Sequence, residues 1–271
     1  MADGSIASLA AGACFLLAVL ACAQRRWIGT WLGAAGAAIL AGALAARGLR
    51  AGRWPLTDQY EFALAFALGT ALMALVLGAR PGGEQTGQDR SLAEGAVAIQ
   101  ATAMAVAAAL VAYARLGLPA SKRGIQPLPP ALDAVWLPLH VGTAALAYGA
   151  LTVAGAAAFV YLLRESARTE AARSLDRAIA TGYPLLSLSI LLGMVWAQVA
   201  WGRYWGWDVK EVWTLITWLV YTLYWHLKSR PRWKGRRLAW LALAGLGAVL
   251  FTFLGVSWLA RAVGLQSLHL F

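Results

Sequence analysis

Apolar residues in this chain gather into eight long stretches, each cut off from the next by a short cluster of charges, glycines or prolines. They run roughly Ile6 to Ala23, Ile28 to Ala46, Tyr60 to Ala79, Ala93 to Tyr113, Trp136 to Leu163, Tyr183 to Ala200, Val212 to Leu227 and Leu238 to Trp258. Crossing a hydrocarbon core about 30 Å thick takes about 20 apolar residues in a helix. The pattern predicts an all-α, polytopic integral membrane protein of about eight transmembrane helices, a single transmembrane domain over residues 1–271. Stretches rich in Gly and Ala, such as Gly33 to Ala46, predict helices that pack closely in lipid.

Three polar intervals are longer than a turn. Arg80 to Leu92 is Gly-rich and predicts a polar cytoplasmic connection. Arg115 to Val135 carries Pro119, Pro127, Pro129 and Pro130 and predicts an extended outer loop. Arg164 to Thr181 mixes Arg, Glu and Leu at helical spacing, which predicts a helix extended along the inner membrane surface.

Composition sharpens the class. The 271 residues are 61% hydrophobic and 13% charged, where a soluble domain has about half and about a quarter. An ordinary soluble domain is excluded. The first stretch does not read as a cleaved signal peptide, because Asp3 precedes it and the basic pair Arg25 and Arg26 follows it. Cytoplasmic loops hold the excess of Lys and Arg. With Arg25 and Arg26 inside, fourteen basic residues fall on inner loops and nine on outer ones, and both termini lie outside. The polar break between the sixth and seventh stretches then faces the periplasm or the exterior. The net charge of +11 is accounted for by inner loops against anionic lipid headgroups. Its spread over all loops, without a soluble groove, argues against nucleic-acid binding.

Candidate chemistry concentrates in that break. Seven of the fourteen tryptophans lie between Trp196 and Trp225, five of them in WAQVAWGRYWGWDVKEVW, Trp196 to Trp213. An interfacial belt accounts for Trp136, Trp233, Trp240 and Trp258. It does not account for Gly202 and Gly206 beside the rings, or for Asp208, Lys210 and Glu211 just after them. The segment reads as an outward-facing site for a large flat ligand. Asp208 and Glu211 also stand where they can cap the next helix or pair with a nearby Arg.

The three histidines are His140, His226 and His269. His140, near the outer end of the fifth stretch, and His269, in the tail, belong to the Trp-rich side. His226 lies roughly 20 Å deeper along the seventh stretch, towards the cytoplasm. Singly, each reads as a satisfied helix-end residue. Two imidazoles beside an aromatic platform point instead to axial ligands of an iron porphyrin. Cys14 and Cys22 are roughly 12 Å apart along one helix, too far to pair there. The chain has no C-x-x-C, no Ser-His-Asp set, no H-E-x-x-H and no phosphate loop, so no catalytic residue is predicted.

W-G-x-Y-W-x-W-D-x-K-E-x-W, Trp201 to Trp213, resembles the signature of the CcsA/ResC family of cytochrome c biogenesis proteins, members of the haem-handling WWD superfamily. GRWPLTDQYEF (Gly52 to Phe62), LHVGTAALAYGAL (Leu139 to Leu151) and TWLVYTLYWHLKSR (Thr217 to Arg230) resemble further segments of that family. The resemblance implies haem b carried to the outer face and presented there for covalent attachment to apocytochrome c. The setting it implies is a system II synthetase of the cytoplasmic or thylakoid membrane. In that reading His140 and His269 ligate the presented iron, and His226 belongs to a separate intramembrane haem site completed by a histidine of a CcsB/ResB-like subunit. Trp201, Trp205 and Trp207 lie against the ring, in the segment that also holds Asp208, and Arg203, Lys210 or Arg53 meets the propionates. Apocytochrome c brings reduced C-x-x-C-H thiols, which implies a thiol-reducing partner.

Two departures stand out. Asp208-Val209-Lys210-Glu211 replaces the family's usual Asp-Pro-Lys-Glu, and the tail reads Leu268-His269-Leu270-Phe271 where relatives usually continue with a polar or aromatic stretch. Whether such a haem lyase component is itself catalytic stays open, since holding thiols near vinyl groups contributes rate by proximity alone. Two other functions stay open. One is CcmC-type haem delivery to a periplasmic chaperone, whose proteins are usually shorter and lack the Lys-Glu after the Trp-Asp. The other is transport of a small non-haem solute with the tryptophans as a gate.

Overall fold

The computed structural model describes residues 3–24, 26–78, 87–256 and 259, and every regular element among them is helical. α1 covers Asp3–Gln24, α2 Arg26–Ala51, α3 Gln59–Gly78, α4 Gly87–Ala112, the short α5 Ala120–Arg123, α6 Trp136–Leu163, α7 Arg168–Trp201, α8 Val209–Lys228 and α9 Arg236–Leu250. The chain is an all-α polytopic membrane protein. Six helical segments are long and apolar enough to cross a membrane: Trp27–Ala51, Gln59–Gly78, Leu92–Gly117, Trp136–Leu163, Glu165–Trp201 and Arg236–Gly255. The apolar part of α1, Ile6–Cys22, is shorter. α8 is less apolar because Trp, Tyr and Thr fill much of it.

Small residues decide the packing. α6 is buried along most of its length, Ala and Gly predominating from Ala144 to Ala158, and contacts α3, α4, α7 and α9. At its crossing with α3 the two backbones touch. A Cβ on Gly69 would come within 2.4 Å of the Ala145 carbonyl oxygen, and one on Gly149 within 2.4 Å of Gly69. Dispersion over such contacts replaces the hydrophobic effect, which hardly distinguishes a helix surface from lipid. In α2, Gly33 and Gly36 make room for Met104 and Phe15, as the Gly-Ala run predicts. Cys22 is buried and Cys14 partly so, both free thiols.

The segment Arg164 to Thr181 differs from expectation. Instead of lying along the membrane surface, it is a 3-10 turn, Glu165–Ala167, followed by the first part of α7. α7 has 34 residues, about 50 Å of rise, and so runs well past a 30 Å core. Its first turns are held inside the protein because Glu170, 1% exposed, pairs with Arg177 at 3.1 Å and accepts from Ser174. Gly95 of α4 leaves the space that Glu170 fills.

The other polar intervals bear directly on the site. Residues 79–86 of the connection expected over Arg80 to Leu92 lie outside the described residues, and α4 already begins at Gly87. The Pro-rich loop is extended around Pro119 and Pro129, broken by α5 and a 3-10 turn, Pro130–Leu132. α4 and α9 each run on into a π-helical turn, Tyr113–Gly117 and Phe251–Gly255. Tyr113 and Phe253 from these turns meet edge to face, centroids 5.8 Å apart. π-turns recur at functional sites because they push side chains out of helical register.

Candidate functional site

The loop before α3, the Pro-rich loop and the Trp-rich turn between α7 and α8 come together at one end of the bundle, around a cavity of about 1250 Å³ that is partly open to solvent. Its floor is aromatic. Phe62, Tyr148 and Phe253 line it and pack with the buried Phe66 behind them at centroid distances of 5.2 to 6.3 Å. Leu186, Ile190 and Met194 of α7 form one wall, His140, Val141 and Ala144 of α6 another, and Trp205 and Lys210 also belong to the lining. A mostly apolar cleft with aromatic faces and a few convergent polar groups suits a flat, largely apolar molecule.

His140 is fixed by its surroundings. Its Nδ1 lies 2.8 Å from the Ser189 carbonyl oxygen, so Nδ1 carries the proton and donates. The lone pair is then on Nε2, the state a metal requires. Ser189 Oγ also donates to the His140 backbone carbonyl at 3.2 Å. The imidazole lies parallel to the Trp196 indole within 3°, centroids 6.3 Å apart. A Cβ on Gly193 would come within 2.8 Å of His140 Cε1 and Nδ1, so only glycine lets the ring settle against α7. Trp196, Ser189 and Gly193 escape a reading of the sequence because their roles arise between two helices.

The Trp-rich turn is built by its glycines and acids. Gly202 ends α7 with a left-handed φ of +70°, donating its N–H to Gln198, a conformation glycine adopts without penalty. Trp207 holds φ at 57° without being glycine, a strained geometry that clusters at functional sites. α8 then starts with a capping box. Asp208 accepts from Lys210 N at 2.9 Å, while Glu211 accepts from Asp208 N at 3.1 Å and Gly206 N at 2.8 Å. The capping role expected of these acids is the one found. Val209 takes the first helical position, where the missing N–H of proline would cost nothing, so the helix starts beside Asp208 all the same. Asp208→Ala is expected to lower stability by about 1 kcal/mol, measurable as a lower thermal midpoint in detergent; an unchanged midpoint would contradict the cap.

The three tryptophans do not form one flat wall. Trp205 lines the cavity, and its indole N–H is buried without a hydrogen-bond partner among the described residues. Trp207 meets it edge-on at 85° and is 71% exposed. Trp201 packs behind the cavity, edge-on to Trp196 at 6.1 Å, among Leu132 and Leu137. Arg203 is exposed, with its guanidinium over Gly206, where a Cβ would come within 3.0 Å of Nε.

A second polar cluster borders the cavity through the loop before α3. Glu61, fully buried, pairs with Arg47 at 2.7 Å and Arg53 at 3.0 Å and accepts from Thr57 N at 2.9 Å. Asp58 pairs with Arg47 at 3.2 Å and caps α3 by accepting from Glu61 N at 2.7 Å. Burial, reinforced by the nearby Glu61 charge, pushes the Asp58 carboxyl up to about 6. Arg47 also donates to the Arg123 and Gly124 carbonyls, each at 2.9 Å, tying the Pro-rich loop to α3. Arg53 is thus committed to Glu61. Asp58-x-x-Glu61 repeats the spacing of Asp208-x-x-Glu211, a signal in the sequence for two capped helix starts at one site.

The remaining histidines lie elsewhere. His226 is in the last turn of α8, exposed on the flank of the bundle, its Nδ1 2.9 Å from the Thr222 carbonyl. Nearby, Lys228 and Tyr224 both meet Asp176 at 2.9 Å. His269 lies outside the described residues. No group of three or more His, Cys, Asp or Glu side chains suited to a bare metal ion occurs among the described residues. His140 is the single imidazole among the described residues that line the cavity.

Fold and site define a multi-pass membrane protein that keeps an aromatic cavity, one oriented imidazole and a capped Trp-rich turn at one end of its bundle. Residues 58–263 match the profile of the Cytochrome C assembly protein family. Relatives called "Cytochrome c biogenesis protein CcsA" share 32% identity with the chain in Synechococcus elongatus and 31% in Microcystis aeruginosa, in both cases over 86% of this chain and 86% of the relative. The protein of that name in Prochlorococcus marinus is 32% identical over 84% and 80%. The chain belongs to the cytochrome c assembly family, and within it is a CcsA-type protein of cytochrome c biogenesis.

Proposed function

We propose that this protein carries haem b and presents it in the cavity beside the Trp-rich turn for covalent attachment to apocytochrome c. The observation that carries this reading is His140, locked by Ser189 with its lone pair on Nε2, on the wall of an aromatic cavity partly open to solvent. Trp205 offers a ring and a buried N–H in the same space. In this reading all eight long helices cross the membrane, both termini lie outside, and segment 196–213 faces the periplasm or thylakoid lumen. His269 supplies the second axial ligand from the tail. Bis-histidine ligation holds the iron until the C-x-x-C-H histidine of apocytochrome c displaces one ligand. The protein's part is to orient the vinyl edge and shield the ring from water; the thiols, kept reduced by a separate partner, add across the vinyl groups.

His226 supports a second, deeper haem site. Its Nδ1 contact with Thr222 leaves the ring aimed off the flank of α8, where a CcsB/ResB-like subunit would supply the opposite histidine. The complex purified with that subunit is expected to show a haem Soret band. His226→Ala should lower haem content at both sites severalfold, read by pyridine haemochrome assay. Unchanged haem content would contradict a route through His226.

A further inference from the structure

Lys210 is the one Lys or Arg among the described residues that line the cavity. Of the other cations at this end, none of them a lining residue, Arg47 and Arg53 hold Glu61 and Asp58, Arg115 donates to the Tyr60 hydroxyl, and Arg203 is exposed over Gly206. The cavity's own acids are engaged as well. Asp58 is taken by Arg47 and the Glu61 N–H, and Glu211 by the N–H groups of Gly206 and Asp208. Lys210 stands beside Asp208, whose carboxylate attracts its charge and whose Oδ1 accepts from the Lys210 backbone N–H. Lys210 brings a cation to a largely apolar lining, and on the same lining the Trp205 indole N–H is a buried donor without an acceptor among the described residues.

We infer that the Lys210 ammonium and the Trp205 indole N–H form a carboxylate-binding subsite of the cavity. The inference rests on the haem reading above, in which the carboxylate is a propionate. One charge-assisted and one neutral hydrogen bond would set which edge of the ring enters towards Lys210 and leave the opposite, vinyl-bearing edge for the incoming thiols. Lysine suits this better than arginine would at the same place: its point charge sits at the end of a flexible stem and can follow a propionate that swings.

The test compares haem b with its dimethyl ester, an iron porphyrin lacking the two negative charges, by Soret titration of the full-length protein in detergent. The wild type is expected to bind haem b roughly tenfold to a hundredfold more tightly than the ester. Lys210→Met should bring that ratio close to one by weakening haem b alone, Lys210→Arg should keep most of it, and Trp205→Phe should lose part. If methionine disturbs the start of α8, Lys210→Gln reads the same ratio. A Lys210→Met or Lys210→Gln protein with the wild-type ratio would overturn the subsite and leave the haem reading standing. Absence of a Soret shift with either porphyrin in the wild type would overturn both.

Discussion

His140→Ala is expected to lower haem affinity at the cavity by about a hundredfold or more, equivalent to roughly 2.7 kcal/mol, while the protein stays folded. The ring's Nδ1 bonds a helix carbonyl, and one face lies along Trp196, so alanine removes a side chain at the cavity wall and leaves the helix backbones in place. The lost term is the metal bond, which no other described residue of the cavity wall replaces, since His140 is the only imidazole among the described lining residues. Imidazole added from solution should enter the space left by the side chain and restore the Soret band. That rescue separates loss of a ligand from loss of fold. Haem affinity unaffected by the substitution, or lost without rescue in a protein of lowered thermal stability, would count against ligation by His140.

Glu61→Ala should have the largest effect on stability, about 3–5 kcal/mol. The carboxylate is fully buried and accepts from Arg47, Arg53, Thr57 N and Thr57 Oγ1. Removing it leaves two guanidinium groups, only 13% and 11% exposed, with Asp58 paired to Arg47 alone among the described residues. The asymmetry matters here. A buried ion pair contributes modestly while intact, but its surviving partner is costly when left alone. Glu61→Gln keeps the shape and some of the hydrogen bonds and should fall between. Because Thr57, Asp58 and Gln59 line the cavity, the loss should also weaken haem binding, although Glu61 is not itself a lining residue. A thermal midpoint unchanged in Glu61→Ala would show that the cluster does not hold the loop.

Much of this arrangement is legible in the sequence for simple reasons. Apolar runs fix where helices can cross, and α6 starts and ends at Trp136 and Leu163, the bounds of its run. Asp208 and Glu211 read as a cap because the spacing that closes a capping box is local. Residues 164–181 mislead because helical charge spacing looks the same whether the acids meet water or, like Glu170, a partner inside the bundle. The Trp motif locates the site but not the roles within it. Trp201, Trp205 and Trp207 are alike in sequence, yet Gly202 and the left-handed turn at Trp207 send them in three directions. Ser189, Gly193 and Trp196 matter through α6 and α7 together, a pairing that no single segment records.

Electron cryo-microscopy of the haem-loaded protein, purified with its membrane partner, tests the central claim most directly. The account predicts density for one tetrapyrrole in the cavity between His140 and Trp205, its iron on Nε2 of His140 and a propionate towards Lys210. Haem density found only elsewhere in the bundle, with an acyl chain filling the cavity, would contradict it.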